Sequence, residues 1–360
     1  MAALISALES NVPAPVNFVL MKGLLSAARK KLPYFNGTLP GSLEKSKGSA
    51  SVKWRRIENL SVATTALAER NGTATAFLGR DAVQPTITDV TVAMAKYGNA
   101  ILTTEEVDLF NVNSKTAQLM DVLGANAGES LNTLMRDVYN TGFTNVRYAG
   151  GAANDSAVNA AISVNDIKYS VNFLNRNSAM TFTAKGYGST NIGTTPIRPC
   201  YYGICHPDVE EDIRSLSGFK DVVEYGGYVE TEPYEFGSVG GVRWSVTEIA
   251  PISSGSAAVS NNALRGTSGG AAIDIYSSFI YGKECIGTVG LGNMHAENQT
   301  MMYDPAKPPA VELIQHAPGS SGIYDLYNEV GSIAWKVWFA GKVLNATWGV
   351  KVRTGASRLA

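Results

Sequence analysis

Residues 113–141 read NSKTAQLMDVLGANAGESLNTLMRDVYNT, and their spacing decides how the chain is built. Leu119, Val122, Leu123, Ala127, Leu131, Leu134, Met135, Val138 and Tyr139 recur at steps of three and four, the signature of an amphipathic helix. Asn113 or Ser114 can cap its first turn, and Gly142 stands just past its expected end. Gly124 and Gly128 fall inside it, each costing about 1 kcal/mol against Ala, so a bend or close packing is expected there. At about 1.5 Å per residue the helix runs to about 40 Å, long enough to be the spine of something extended.

Towards the N-terminus the period changes from helical to alternating. SVKWRRIENLSVATTAL (51–67) sets Val52, Trp54 and Ile57 against Lys53, Arg55 and Arg56 and then turns β-branched, as a long ribbon strand would. Asn71-Gly72 is a turn signal, and a second strand is expected near 86–103, with Val90, Val92 and Met94 on one face. The segment 51–103 therefore reads as a two-stranded excursion followed by a core strand. Residues 1–50 are punctuated by Pro13, Pro15, Pro33, Gly37, Pro40, Gly41 and Gly48, so an extended arm is expected there rather than a domain.

Towards the C-terminus, Ser163 opens a second helix to about residue 179, with Ile167, Val171 and Leu174 inward. CYYGICH (200–206) reads as a strand running into Pro207, after which Asp208, Glu210 and Glu211 fill the first turn of a helix, where its dipole favours acids. Strand-rich sequence continues through 238–249 and 273–291, with a Ser/Gly/Asn/Ala loop expected at 251–270. The chain closes on GSIAWKVWFAGKVLNATWGVKVR (331–353), a strand pattern dense in Trp and Val. Helices and strands mix without sustained βαβ alternation, so the fold class is α+β rather than a doubly wound sheet.

The chain has 360 residues, 45% of them apolar and 17% charged, enough for a sizeable core divided over two or three units. Its formal charge of −1 hides a split. Residues 1–56 carry nine Lys/Arg against Glu9 and Glu44, while 208–235 hold nine carboxylates against Arg214 and Lys220. A basic arm and ribbon meeting acidic surface suggests nucleic acid or another copy of the same chain. Three cysteines suggest no disulfide framework and a reducing compartment. Nothing resembles a signal peptide, and no apolar run is long enough for a membrane helix, so a soluble product is expected.

Motifs that could carry chemistry are weak. Gly266-Thr267-Ser268-Gly269-Gly270 is close to a serine-protease GDSGG, but Thr267 stands at the acid position and His206, His295 and His316 all lie in the C-terminal half. Cys200, Cys205 and His206 lack CxxC-type spacing, and neighbours on a strand point to opposite faces, so buried thiols are expected rather than zinc. GTVGLG (287–292) has no following helix. The expectation is no catalytic, cofactor or metal site. Lys53, Arg55 and Arg56 around Trp54 resemble a nucleic-acid patch, yet on an amphipathic ribbon they could equally make ion pairs between copies.

Six strings in order carry a resemblance: SVKWRRIENLSVATTALAE (51–69), MAKYGNAILTTEEVDLF (94–110), RDVYNTGFTNVRYAGG (136–151), YYGICHPDVEEDIR (201–214), YEFGSVGGVRW (234–244) and GSIAWKVWFAGKVLNATWGVKV (331–352). With them the chain resembles the major capsid proteins of N-four-like podoviruses and related tailed phages, over roughly 50–355. The resemblance implies the Hong Kong 97-type coat-protein fold. Its parts would be an N-terminal arm (1–50), an extended loop (51–88), a peripheral domain with the spine helix (89–159), an axial domain (160–330) and C-terminal strands (331–360) returning to the peripheral domain. It implies self-assembly into the pentamers and hexamers of an icosahedral head enclosing the genome, with no cofactor. The partners would be other copies, scaffolding, portal and decoration proteins, and packaged double-stranded DNA bound without sequence specificity. The chain would be assembled in the host cytoplasm and found in the virion. An encapsulin-like nanocompartment shell is the alternative. The contacts expected between copies are Lys53, Trp54, Arg55 and Arg56 on one side and Glu224, Glu230 and Glu232 on the other.

Overall fold

A computed structural model describes residues 32–42, 50–58, 60, 62, 64, 84–106, 115–182, 200–224, 234–257, 263–266, 272–290, 311–316, 327 and 329–358. The 113–141 pattern becomes helix α1 (Lys115–Gly142), with Met120, Leu123, Ala127, Leu131, Met135 and Tyr139 as its buried stripe. Gly124 and Gly128 are buried too, the close-packing option of the two expected. Two details differ. Val122 is 59% exposed, since it lies off the stripe that four-residue steps from Leu123 define. Gly142 is the last helical residue rather than the one beyond, and a Cβ there would strike the Val343 side chain. Asn113 and Ser114 lie outside the described residues.

The stripe of α1 packs on a sheet built around the long strand β14 (Val330–Val343). One edge of β14 carries β4 (Ala95–Thr104) along ten residues. The other edge is shared end to end by β12 (Ile286–Gly290) and β13 (Glu312–His316), and β1 (Leu39–Ser42) adds in parallel outside β12. Along β14 buried and half-buried residues alternate, with Ile333, Trp335, Val337 and Phe339 turned to the helix side of the core. Trp335 Nε1 donates to Asn126 Oδ1 of α1 at 3.1 Å, so the indole is buried with its polar atom satisfied.

The second sheet runs β5 (Val146–Tyr148), β15 (Gly349–Thr354), β11 (Ile273–Tyr281), β6 (Tyr201–Cys205), β9 (Val242–Val246), β8 (Glu235–Val239), β7 (Lys220–Asp221), with β10 (Ile252–Ala257) also on β11. It is covered by α2 (Val164–Arg176) and α3 (Pro207–Arg214), through Ile167, Leu174, Val209 and Ile213 against Trp244, Ile280 and Val352. Ser163 caps α2 as expected, its Oγ accepting from Asp166 N at 3.3 Å and donating to Asp166 Oδ2 at 2.6 Å. Across β8 and β9 the buried Arg243 and Glu235 form a two-pronged ion pair, and Glu235 raises the Arg243 pKa against the opposing effect of burial.

The two sheets are stitched at one seam. Strand β11 leaves the second sheet through 282–285 to become β12 of the first, and β14 leaves the first through 344–348 to become β15 of the second. The two crossings bond to each other: Leu344 N donates to Cys285 O at 2.8 Å and Gly282 N to Trp348 O at 3.0 Å. The 331–353 pattern is therefore two strands in different sheets.

Three expectations are corrected. Residues 32–42 are packed, not loose: Tyr34 is fully buried against Tyr139 and Phe279, its N donates to Asn132 Oδ1 at 3.3 Å, and Asn36 O accepts from Tyr281 Oη at 2.8 Å. The aromatic side chain outweighs the turn residues around it. Within the 251–270 loop, 252–257 is strand β10, whose backbone ladder needs no apolar side chains, with an irregularity at Gly255 (φ +59°). The stretch 86–103 is not one strand but two, β3 (Ile87–Ala93) and β4, broken at Met94 and belonging to different sheets. Among the described residues no helix is long and apolar enough to cross a membrane.

Candidate assembly interface

Among the described residues, strand β2 (Ser51–Ile57) pairs antiparallel with β3 alone, in register from Ser51↔Ala93 to Ile57↔Ile87. The two form a ribbon separate from both sheets, and the alternation of its sequence gives it two different faces. One face lies on the body of the chain. The Trp54 ring covers Gly41 of β1 and Gly287 of β12, where any Cβ would stand 2.8 Å from Trp54 Cζ2. Glycine is required at both positions because the indole and the parallel strand pair approach so closely. Arg56, on the same face, donates from Nη1 to Leu344 O at 3.3 Å and from Nε to Glu58 Oε1 at 2.8 Å, and Thr88 Oγ1 donates to the same carboxylate oxygen at 3.2 Å.

The other face carries Lys53, Arg55 and Ile57, with Asp89, Thr91 and Ile87 across from them. Lys53 Nζ lies 2.6 Å from Asp89 Oδ2 and Arg55 Nε 3.1 Å from Asp89 Oδ1. Hydrogen bonds from Arg55 and then Lys53 hold the Asp89 carboxyl below its ordinary range. Two cations share one carboxylate, which leaves this face net positive. At the far end Ile57 and Ile87, directly paired, are 63% and 51% exposed, and Leu60 and Val62 beyond them are also bare. An apolar pair stacked outward at the end of a two-stranded ribbon is surface that a lone chain leaves in water.

The sequence-predicted contacts are thus divided by the pleat. Lys53 and Arg55 face outward, whereas Trp54 and Arg56 are engaged with their own chain. The face assignment of two residues is corrected: Ile57, grouped in the sequence with Val52 and Trp54, lies on the exposed face with Lys53 and Arg55, and Arg56 lies with Trp54, because strict alternation puts 53, 55 and 57 on one side.

On the acidic side, Glu224 is exposed at the end of the 222–224 turn, and Glu230 and Glu232 lie outside the described residues. Several other acids of 208–235 are occupied within the chain rather than facing solvent. Arg214 holds both Glu210 and Asp221, Arg265 and Tyr276 Oη bond Asp208, Ser357 N donates to Asp212 Oδ2, and Glu235 is paired with Arg243. Asp208, Asp212 and Asp221 tie α3 to neighbouring segments, Glu210 pairs within α3, and Glu235 joins β8 to β9.

Cys200, Cys205 and Cys285 are buried and unbridged, and burial pushes the Cys200 thiol up to about 11. His206 is the N-cap of α3, its Nδ1 accepting from Asp208 N at 3.1 Å. Gly287–Gly290 of the GTVGLG string lies inside β12. Ser268 is outside the described residues. Among them, no group of His, Cys, Asp and Glu is disposed to hold a metal ion.

No family model matches the sequence, and no curated protein is significantly similar to it. Solved structures are similar over nearly its full length. A chain in the capsid of Ralstonia phage GP4 is 11% identical with a TM-score of 0.63, covering 92% of this chain and 93% of that one. The fold is that of phage capsid proteins. Cyanophage Pam1 (10% identity, TM-score 0.53, 92% and 93% covered) and Helicobacter pylori bacteriophage KHP40 (12%, 0.52, 91% and 91%) agree in their capsid and head structures. At this coarse level the α+β body matches the Hong Kong 97-like capsid fold.

Proposed function

We propose that this chain is a major capsid protein whose copies assemble into an icosahedral phage head. The observation that carries the reading is the full-length likeness to the Ralstonia phage GP4 capsid chain, with no large domain left over for another task. The ribbon supports it: one face is spent on the chain's own β1 and β12, and the other ends in bare Ile57 and Ile87 beside unbalanced positive charge. Such a surface suits a heterologous contact with a neighbouring copy, which closes into rings when the rotation allows.

The finer reading places the chain among N-four-like podovirus coat proteins, with pentamers and hexamers as capsomers. It assigns 1–50 to the arm, 51–88 to the extended loop, 89–159 and 331–360 to the peripheral domain, and 160–330 to the axial domain. Lys53 and Arg55, together with Ile57 and Ile87, form the ribbon's side of the contact, and Glu224, Glu230 and Glu232 offer acids to it. Trp54 and Arg56 hold the ribbon at the angle the contact needs. Scaffolding, portal and decoration proteins and loosely held double-stranded DNA complete the partner set, with assembly in the host cytoplasm.

Negative-stain electron microscopy of the purified chain, beside a sizing column, tests the reading. Closed shells or five- and six-membered rings are expected. A stable monomer at every salt concentration, unchanged by co-expression with the neighbouring phage genes, overturns it. Particles filled with a cargo protein instead of nucleic acid would move the chain to the nanocompartment class.

A further inference from the structure

Between α1 and the start of α3 lies a cleft of about 410 Å³. Pro207, Val246 and Ile249 give it apolar walls, and Glu129 of α1 and Glu248 beyond β9 bring carboxylates to it. Both glutamates are exposed and have no ion-pair partner among the described residues. Tyr234 also lines the cleft, 42% exposed and at φ +64°, a backbone conformation that a tyrosine rarely adopts, and its carbonyl accepts from Val246 N at 3.1 Å. An apolar hollow with an aromatic wall and two uncompensated acids suits apolar side chains flanked by cations.

The outer face of the β2–β3 ribbon has that pattern. Ile57 and Ile87 are paired at its end, and Arg55 and Lys53 follow Ile57 on the same side at steps of about 6.6 Å. The two cations share Asp89, so the face keeps a net positive charge. It does not reach the cleft of its own chain, because Trp54 and Arg56 seat the opposite face on β1, β12 and Leu344 and turn this one away from the body. We propose that the ribbon of a second copy enters this cleft, with Ile57 and Ile87 on the apolar walls and Lys53 and Arg55 beside Glu129 and Glu248. The cleft supplies a hollow that the 222–224 turn lacks, since Val223 there projects at 90% exposure. This contact rests on the shell reading, which supplies the second copy, and it names the surface that the ribbon meets.

Photo-cross-linking of the full chain tests it. The exposed Ile57→Cys is labelled with a benzophenone maleimide, which the buried Cys200, Cys205 and Cys285 do not take up. Irradiating a mixture of ordinary and isotope-labelled chains is expected to join copies at the peptides holding Glu129 and residues 246–249, read by mass spectrometry. Cross-links between copies that map elsewhere, the 222–224 turn included, overturn the contact, and where rings or shells are seen they leave the shell reading standing. Cross-links to the cleft without any ring or shell keep the contact and overturn the shell reading. A chain that never joins a second copy removes both. Charge exchange gives an independent readout. Glu129→Lys/Glu248→Lys should raise the concentration needed for association about tenfold at about 50 mM salt. Adding Lys53→Glu/Arg55→Glu/Asp89→Lys, which mirrors the ribbon's charges and keeps their pairing within it, should bring the concentration back. No recovery overturns the contact as well.

Discussion

The α1–β14 body and the β2–β3 ribbon are both built from alternating or periodic apolar sequence, yet they are completed differently. In the body the buried stripe of α1 and the buried residues of β14 are covered by the chain itself. Tyr139 alone meets four rings, Tyr34, Phe143, Phe279 and Tyr281, at centroid distances of 5.1–5.7 Å, and its hydroxyl donates to Tyr34 O at 3.0 Å. In the ribbon only one face packs on the rest of the chain. Trp54, Val90 and Val92 face inward, while Ile57 and Ile87 have only each other. The body closes on its own side chains, whereas the ribbon leaves an apolar pair exposed.

Substitutions can break or sharpen this contrast. Tyr139→Ala should have the largest effect, about 4 kcal/mol of lost stability, because it empties the centre of the aromatic cluster. Denaturant unfolding checks it, and a loss under about 1 kcal/mol would mean the body is less interlocked than its packing indicates. Trp54→Ala should cost about 2 kcal/mol, felt locally. Hydrogen exchange should accelerate over 51–57 and 87–93 while the exchange of α1 stays unchanged. If both regions accelerate together, the ribbon is part of the body after all.

The N-cap of α3 gives a smaller, pH-dependent effect. His206 Nδ1 accepts from Asp208 N, so the cap needs the neutral imidazole, and burial lowers the His206 pKa despite the opposing pull of Asp208. A depressed folded-state pKa means the stabilisation is full above the unfolded value of about 6.5 and disappears as pH falls through the folded one. Thermal melts should therefore decline less steeply below about pH 6.5 in His206→Asn, whose amide caps without titrating, and the difference should reach about 1 kcal/mol. Parallel pH curves for the two proteins would remove His206 from the account. Smallest for the isolated chain is Ile57→Lys/Ile87→Lys, within about 0.5 kcal/mol, because both side chains already face water. The same pair should abolish ring and shell formation by electron microscopy. Normal particles from it would show that the bare end of the ribbon is not a contact.

The elements legible in the sequence were those whose side chains repeat one period in one environment. Helix α1 falls where its spacing places it, and helix α2 with its Ser163 cap, the strand before Pro207 and the acid-started α3 fall where spacing and capping place them. Residues 252–257 were illegible because β10 is held by main-chain bonds to β11, which leave no mark on side-chain composition. Tyr34 was illegible for the opposite reason, a single aromatic anchoring a stretch whose prolines and glycines signal turns. At the ribbon, the sequence marked the cations but could not say which would be neutralised by Asp89 and Glu58 from across or along the strand.

The sequence by itself determined the α+β class, the spine helix and the two-faced ribbon, because periodicity and capping act over a few neighbouring residues. Only the tertiary structure decided that 331–353 divides between two sheets, that Trp54 rests on Gly41 and Gly287, and that most of the 208–235 acids are spent internally. The division between sheets and the seat of Trp54 depend on partners tens to hundreds of residues away, and the acids on which cation the folded chain turns towards each of them, which no local pattern encodes.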